Sequence, residues 1–322
     1  MPVELDAAAI LAGLTFLGIL GGSAVLWIVY FQRVNRKFAC EAGVPAWPIG
    51  WINFGIFICA MVISVIAAQV FAGELLHLAD NTSDARLIED TGDSIDTSIG
   101  NDSEVIEDEP NAETPELTPW MAVFAVLLLQ IPLLATFYGL RRFYPEQFSG
   151  RINAHTLTFW QALTQALPLF IRYLPIIWIV SFAWSGLLTF LQSRGFIEAF
   201  PPQELIKLFT AGGDPTAITL LVICAVVLAP LVEETIFRGG IYRFLKSQTT
   251  LLPAQILSGA VFALMHANLM SFFPLVVVGI LLARVYERSG NILVPMCFHA
   301  CFNGFSLLML YIMSHSSIPM GQ

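Results

Sequence analysis

Two adjacent glutamates and two histidines lie in the apolar C-terminal half of the sequence, where ionisable side chains are rare. Glu233 and Glu234 end an uncharged run that begins at Thr216, and His266 and His299 each lie within a further apolar stretch. Ionisable groups inside a membrane segment cost about 3 kcal/mol each on insertion scales, so their presence indicates a functional site. Desolvation and a like-charged neighbour make a carboxylate a better proton acceptor, which lets it take a proton from water.

Two further polar residues follow these groups at helical spacing. Asn303 lies one turn after His299 on the same helix face, and Arg238 lies one turn after Glu234. A histidine and an asparagine one turn apart offer hydrogen-bond donors to a developing oxyanion. Because facing lipid would leave such groups unpaired, their helices must meet inside a bundle around a wet cavity. The residue types therefore predict hydrolysis by an activated water molecule, with His266 as a second acid/base or as a group that orients the water.

The composition indicates a membrane protein. The chain is 57% hydrophobic and only 12% charged, against about 25% charged in an average soluble domain. Residues 7–31 are uncharged and long enough to cross a hydrocarbon core of about 30 Å. We therefore predict an all-α fold, a polytopic transmembrane helical bundle of about eight spans. The predicted spans are 7–31, 50–72, 119–140, 174–192, 216–246, a sixth and a seventh within 247–283, and 292–313.

The same pass along the chain predicts its organisation. Residues 1–73 hold the first two transmembrane helices, and 119–215 hold the third and fourth together with an interfacial helix at 151–170. Residues 216–313 form the helical core that carries the site, and 314–322 form a tail. Residues 74–118 contain 14 of the 24 acidic residues, which predicts an acidic, disordered external loop. The excess of negative charge thus belongs to one loop and gives no indication of a nucleic-acid partner.

Clusters of basic residues predict the orientation. Arg33, Arg36 and Lys37 follow the first span, and Arg141 with Arg142 end the third. By the positive-inside tendency these ends lie in the cytoplasm, so both termini and the acidic loop 74–118 are expected outside. We expect a multi-pass protein of the plasma or inner membrane, whose partners are membrane lipids and a peptide or protein substrate.

Three runs of residues resemble the motifs of a known family. Glu233–Arg238 reads E-E-T-I-F-R, Phe262–His266 reads F-A-L-M-H, and His299–Asn303 reads H-A-C-F-N. These runs resemble the E-E-x-x-x-R, F-x-x-x-H and H-x-x-x-N motifs of the CPBP family. That family comprises the type II CAAX prenyl endopeptidases of the Ras-converting type and their bacterial relatives, and the resemblance covers about 216–313.

The resemblance implies a role for each residue. Glu233 would activate the attacking water together with His266, and Glu234 would support this step. The remaining roles implied are support by Arg238, stabilisation of the oxyanion by His299 and Asn303, and shaping of the cavity by Phe262. Members of the family are regarded as metal-independent glutamate peptidases, so no cofactor is expected. The implied activity is that of an endopeptidase acting on a membrane-associated or lipidated peptide or protein.

Other interpretations stay open from the sequence. The glutamates could mark a helix end at the interface, the histidines could be satisfied core residues, and His299 with Asn303 could join helices by hydrogen bonds. A non-catalytic membrane scaffold or immunity factor on the same fold is one alternative function. A metal-dependent membrane hydrolase or ion transporter is another, although the sequence lacks H-E-x-x-H. Cys297, His299 and Cys301 alternate along a helix, so their side chains point about 200° apart and predict no metal site.

Overall fold

A computed structural model describes residues 7–34, 43–90, 118–198 and 213–314 of the 322-residue chain. Within these residues the side chains of 7–9, 32–34 and 75–90 are not described. The described parts form nine helices and contain no strand. The helices are α1 (Ala7–Val34), α2 (Trp51–Asp90), α3 (Pro119–Phe143), α4 (Pro145–Phe148), α5 (Phe159–Ser193), α6 (Pro215–Gln248), α7 (Leu251–Met265), α8 (Phe272–Ser289) and α9 (Leu293–Ser314).

Eight of these helices are the elements of a membrane bundle. By length and composition six of the described helices could cross a membrane, namely α1, α2, α3, α5, α6 and α9. The helix α7 is apolar but shorter, and α8 carries Arg284, Glu287 and Arg288 near its end. The prediction of an all-α transmembrane bundle of about eight spans is confirmed.

The start of α5 differs from the prediction of a separate interfacial helix at 151–170. Residues 151–158 are not helical, and a single helix runs from Phe159 to Ser193. Its start is set by a capping box, in which the Thr158 side chain accepts from the Gln161 amide and the Gln161 side chain accepts from the Thr158 amide. The helix continues through Pro168 and Pro175, so the predicted interfacial helix and fourth span form one element.

The boundary of the predicted acidic loop also differs. The backbone of α2 continues to Asp90, because the residues after 73 include good helix formers such as leucine, alanine and glutamate. Residues 91–117, which form most of that loop, lie outside the described residues, as do both chain ends, 199–212 and the basic residues Arg36 and Lys37.

Helix α6 is continuous but widens at two places. Its first π-turn spans Cys224–Leu228 and its second spans Phe237–Tyr242. Pro230 has no amide hydrogen, so the carbonyls one turn earlier lack their usual helical donor. One of them, the carbonyl of Ala225, instead accepts a hydrogen bond of 2.8 Å from Asn303 Nδ2 on α9. Such π-turns are often found at functional sites, and here they flank the turn that carries the two glutamates.

Helices α7 and α8 cross at two glycines. A Cβ on Gly259 would lie 2.8 Å from the carbonyl oxygen of Val276, and one on Gly279 would lie 2.6 Å from the Cα of Gly259. The absence of side chains at these positions lets the two backbones touch. This close crossing brings the carbonyl of Gly279 next to α6, where Arg238 binds it.

The end of α6 is anchored to the segment before α2. Arg243 Nε donates to the Pro45 carbonyl at 2.7 Å, and Lys246 Nζ donates to the Val44 carbonyl at 2.8 Å. Lys246 also pairs with Glu287 of α8, so α6, α8 and this segment are held together at one end of the bundle. This anchoring fixes the height in the bundle of the earlier residues of α6, which include Glu233 and Glu234.

Candidate active site

A helical hairpin brings the first glutamate level with the first histidine. Helices α6 and α7 are joined at Thr249 and Thr250, and they run in opposite directions along the bundle. Glu233 precedes Thr250 by 17 residues and His266 follows it by 16. Since each helical residue advances about 1.5 Å, these nearly equal counts place the two side chains at about the same height.

Glu233 lies between two histidines that come from different helices. Its Oε2 atom is 4.0 Å from Nε2 of His266 on α7 and 3.9 Å from Nε2 of His299 on α9. The side chain of His266 is 33% exposed and that of Glu233 is 20% exposed, whereas His299 is 4% exposed. The arrangement is therefore open at His266 and closed at His299.

Hydrogen bonds on the far side of each ring determine which nitrogen carries the proton. His266 Nδ1 lies 2.8 Å from the carbonyl oxygen of Phe262, which can only accept, so Nδ1 is the donor. His299 Nδ1 lies 3.0 Å from Oε1 of Glu234. Because Glu234 also accepts from Arg238 it is a carboxylate, so this Nδ1 is a donor as well. In the neutral rings both Nε2 atoms are therefore acceptors directed towards Glu233.

The second glutamate belongs to a fully buried network. Oε1 of Glu234 accepts from Arg238 Nη1 at 2.9 Å and from His299 Nδ1 at 3.0 Å, and neither Glu234 nor Arg238 has exposed side-chain surface. Arg238 Nη2 donates to the Gly279 carbonyl at 2.9 Å. This network ties α6 to α8 and α9 and fixes the orientation of the His299 ring.

Phe262 packs at the centre of these groups. It is fully buried, and its ring lies 4.7 Å from Cζ of Arg238. The ring centroid is 4.6 Å from that of His266 and 5.7 Å from that of His299. Phe262 thus contacts both histidines and covers the guanidinium, which is a packing and cation–π role.

Asn303 reaches a different partner from the one expected for an oxyanion donor. One of its amide hydrogens is donated to the Ala225 carbonyl in the first π-turn. Asn303 therefore links α9 to α6 one turn away from His299.

Two features of the site could not be anticipated from the motifs. Ala267, directly after His266, has a φ of 48°, a left-handed conformation that costs a residue with a Cβ about 1–2 kcal/mol. Trp184 of α5 donates from Nε1 to the Leu269 carbonyl at 2.8 Å, which anchors the same turn. Such strain is commonly found where a turn has to hold a functional side chain.

The donor set does not match a zinc site. Within the part of the chain that the structure describes, no group of three or more His, Cys, Asp or Glu side chains could hold a metal ion. Glu233 Oε2 lies 3.9 and 4.0 Å from the Nε2 atoms of His299 and His266. An ion with bonds of about 2.0–2.1 Å to the oxygen and to one of these nitrogens would have to lie almost on the straight line between them, whereas ligands of a tetrahedral zinc site meet at much smaller angles.

The described residues define a multi-pass helical membrane protein with a glutamate and histidine cluster inside its C-terminal helices. Residues 215–305 match the family model described as type II CAAX prenyl endopeptidase Rce1-like. A segment of 93 residues is 31% identical to YdiL of Bacillus subtilis (strain 168), whose name describes it as a candidate membrane peptidase. No solved structure matches.

These similarities concern one part of the chain. The segment that matches YdiL is 29% of this chain and spans 38% of that relative's length. The family match begins with α6 and ends within α9, so it contains all three motifs. The resemblance recognised from these motifs is confirmed for the segment 215–305.

Proposed function

We propose that this protein is an intramembrane endopeptidase in which Glu233 is the base that activates water. The observation that carries the proposal is the approach of two histidine Nε2 atoms, from two different helices, to one oxygen of Glu233 at 3.9 and 4.0 Å. A partly buried carboxylate between two imidazoles inside an apolar bundle is costly for packing alone and suits a site where a proton is moved.

The spacing suits a single water molecule. A distance of 4.0 Å between Glu233 Oε2 and His266 Nε2 is too long for a direct hydrogen bond, which spans about 2.7–3.2 Å. A water oxygen about 2.8 Å from both atoms would see them at an angle of about 90°, close to the angle between its own two hydrogens. The water would donate one hydrogen to Glu233 and the other to His266.

The reaction that follows is general-base hydrolysis. Glu233 accepts a proton as the water oxygen bonds to the carbonyl carbon of the scissile peptide. When the C–N bond breaks, Glu233 returns this proton to the leaving amine, so that the products are a carboxylic acid and an amine, the glutamate is regenerated, and the acid then gives its proton to the amine or to water. His266 holds the water in position through its Nε2 lone pair.

His299 and Asn303 are the proposed donors to the oxyanion, and the hydrogen bonds that they already make limit which hydrogens they can offer. A neutral His299 presents a lone pair at Nε2, because its Nδ1 hydrogen is held by Glu234; it donates to an oxyanion only when Nε2 carries a second proton. Asn303 has one amide hydrogen besides the one bound to Ala225. Donors of this kind contribute about 3–4 kcal/mol to related transition states.

Exposure indicates the side from which a substrate arrives. The side chain of His266 is the most exposed of the cluster, and the adjacent Leu264 and Met265 at the end of α7 are exposed apolar residues. Glu234 and Arg238, at the opposite side, are fully buried. An entrance with an apolar rim favours a peptide that is already in the membrane or carries a lipid.

Comparison of membrane proteomes tests the proposal even though the substrate is not identified. Cells would express wild type, Glu233→Gln, or Glu146→Gln, in which an exposed glutamate of α4 undergoes the same chemical change. We expect at least one membrane polypeptide to accumulate uncleaved only with Glu233→Gln, at equal expression. If the membrane proteome of Glu233→Gln cells is the same as those of wild-type and Glu146→Gln cells, the result would favour the non-catalytic scaffold alternative.

A second arm separates the metal-dependent alternative. Membranes from wild-type cells would be treated with EDTA and 1,10-phenanthroline, and cleavage of the polypeptide identified above would be followed. We expect the cleavage rate to be unchanged by exhaustive chelation. Loss of cleavage with recovery on addition of zinc would assign the activity to a metalloenzyme.

A further inference from the structure

Arg172 of α5 is a buried cation inside a ring of aromatic side chains. The residue is 8% exposed. Its Cζ lies 5.2 Å from the ring of Trp27, 4.6 Å from that of Tyr30 and 4.7 Å from that of Tyr173. Two of these rings come from α1, so the guanidinium lies at the contact between α1 and α5.

The described residues give this cation no anionic partner. Nη2 of Arg172 donates to Tyr173 Oη at 3.0 Å, and Nε is buried without a hydrogen-bond partner. Two acidic side chains of the core pair elsewhere, Glu234 with Arg238 and Glu287 with Lys246. Cation–π contacts offset only part of the cost of burying an unpaired ion.

A second guanidinium approaches the same tyrosine. Nη2 of Arg288, near the end of α8, donates to Tyr30 Oη at 3.1 Å, and its Cζ lies 5.3 Å from the Tyr30 ring. The hydroxyl of Tyr30 keeps its own hydrogen for donation. Two planar guanidinium groups beside a hydroxyl donor are a combination that suits a phosphate group, which accepts bidentate hydrogen bonds.

Tyr30 and Arg288 lie near the ends of their helices, and Arg172, from within α5, reaches this level by contact with the Tyr30 ring. Tyr30 precedes the last residue of α1 by four positions, about 6 Å along the helix, and Arg288 precedes the last residue of α8 by one. This is the end that the basic residues predict to be cytoplasmic. Phosphates of anionic lipids occur at this level, whereas hydrocarbon occupies the deeper part of the bilayer.

The same pair of helices offers room for a hydrocarbon chain. An apolar groove of about 510 Å³ lies between α1, α5 and α9, and its α5 lining begins at Leu174, two residues after Arg172. The groove continues towards Phe16 of α1 and Ser181 of α5. Apolar surface on the same two helices, α1 and α5, favours a phospholipid, which carries acyl chains, over free phosphate as the source of the anion.

We propose that Arg172, Arg288 and Tyr30 bind the phosphate group of an anionic phospholipid between α1, α5 and α8. This site is separate from the Glu233 cluster and does not depend on peptidase activity. The lipid would neutralise Arg172 and join the N-terminal helices to the core that carries the cluster.

The test is lipid binding to the intact, delipidated protein in detergent, measured by native mass spectrometry. Phosphatidylglycerol, phosphatidylcholine and inorganic phosphate would be titrated separately. We expect phosphatidylglycerol to bind more tightly than phosphatidylcholine, and Arg172→Met to weaken its binding by about 10- to 100-fold, the range for charged hydrogen bonds. Arg284→Met, a matched change at an exposed arginine of α8, should leave binding unchanged.

A second variant keeps the proposal testable if Arg172→Met does not fold. Tyr30→Phe preserves the aromatic ring and removes only the hydroxyl, and it should weaken phosphatidylglycerol binding by a factor of about 5. Equal binding of phosphatidylglycerol to wild type and to folded Arg172→Met would overturn the site. Equal affinity for phosphatidylcholine, or Arg172-dependent binding of inorganic phosphate at the same concentration as lipid, would overturn the assignment to an anionic lipid.

Discussion

Neutralisation of the second glutamate should destabilise the protein far more than neutralisation of the first. Glu234→Gln removes the charge that compensates Arg238, and both side chains are fully buried with a single oxygen shared between Arg238 and His299. Removing one partner of a buried ion pair costs about 3–5 kcal/mol, because the other charge stays desolvated. At about 2 °C per kcal/mol for a chain of this size, Tm should fall by roughly 6–10 °C.

The adjacent residue provides the matched control. Glu233→Gln is the same chemical change one position earlier, but Glu233 forms no hydrogen bond shorter than 3.5 Å among the described residues, and one of its oxygens is buried without a partner. Its neutralisation should change the free energy of unfolding by less than about 0.5 kcal/mol or increase it. The assay is thermal unfolding of the purified variants in one detergent, followed by tryptophan fluorescence.

A double variant isolates the interaction itself. Glu234→Met and Arg238→Met should each lower Tm, whereas both changes together replace the ion pair with apolar side chains of similar length and should recover much of the loss. The expected coupling is about 0.5–3 kcal/mol or more. Equal Tm for Glu234→Gln and Glu233→Gln, or strictly additive losses in the double variant, would refute the reasoning that Glu234 stabilises and Glu233 does not.

Two further predictions concern the helices around the site. Gly259→Ala should lower the free energy of unfolding by about 1–3 kcal/mol, because the added Cβ would lie 2.8 Å from a backbone carbonyl oxygen of α8. Gly139→Ala is the control, since a Cβ at Gly139 would meet open space, and it should not lower Tm in the same thermal assay. The pKa of Asp214, the N-cap of α6, is lowered by the Thr216 amide and then by Trp120 Nε1. The stabilisation by the Asp214 carboxylate should therefore be present above the unfolded pKa of about 3.9 and be lost as pH falls through the lower folded pKa. The difference in Tm between wild type and Asp214→Asn should shrink in acid. A difference in Tm that stays constant with pH would contradict this.

The sequence predicted the proximity of Glu233 to the two histidines better than it predicted the boundaries of the elements around them. Glu233 and His266 are brought level by nearly equal residue counts on the two arms of a hairpin, and these counts can be read from the sequence. The destination of Asn303 depends on a carbonyl that Pro230 leaves without a donor, and such a bond across helices follows only from packing. The predicted break between the interfacial segment and the fourth span is absent, because α5 begins at the Thr158 cap and continues through Pro168 and Pro175 to Ser193, and periodicity alone did not distinguish one helix from two.

The network around Arg238 was beyond the reach of the motifs for a related reason. Its second partner is a backbone carbonyl, that of Gly279, and any residue type could supply one. What makes it accessible is the contact between Gly259 and Gly279, which are 20 positions apart in apolar helices. Glycines that face each other across two helices were a signal in the sequence, but their pairing required the three-dimensional arrangement.

The two neighbouring glutamates acquire different properties from the geometry of one helix. Successive residues of an α-helix point about 100° apart, so Glu234 meets α8 and α9 in the core while Glu233 meets the open end of α7. His299 contacts both, with Nδ1 on Glu234 and Nε2 facing Glu233. Its ring cannot turn to strengthen one contact without weakening the other. A pair of carboxylates with a shared imidazole therefore couples a buried, stabilising ion pair to the position where we propose that water is activated, and disruption of the first should displace the second.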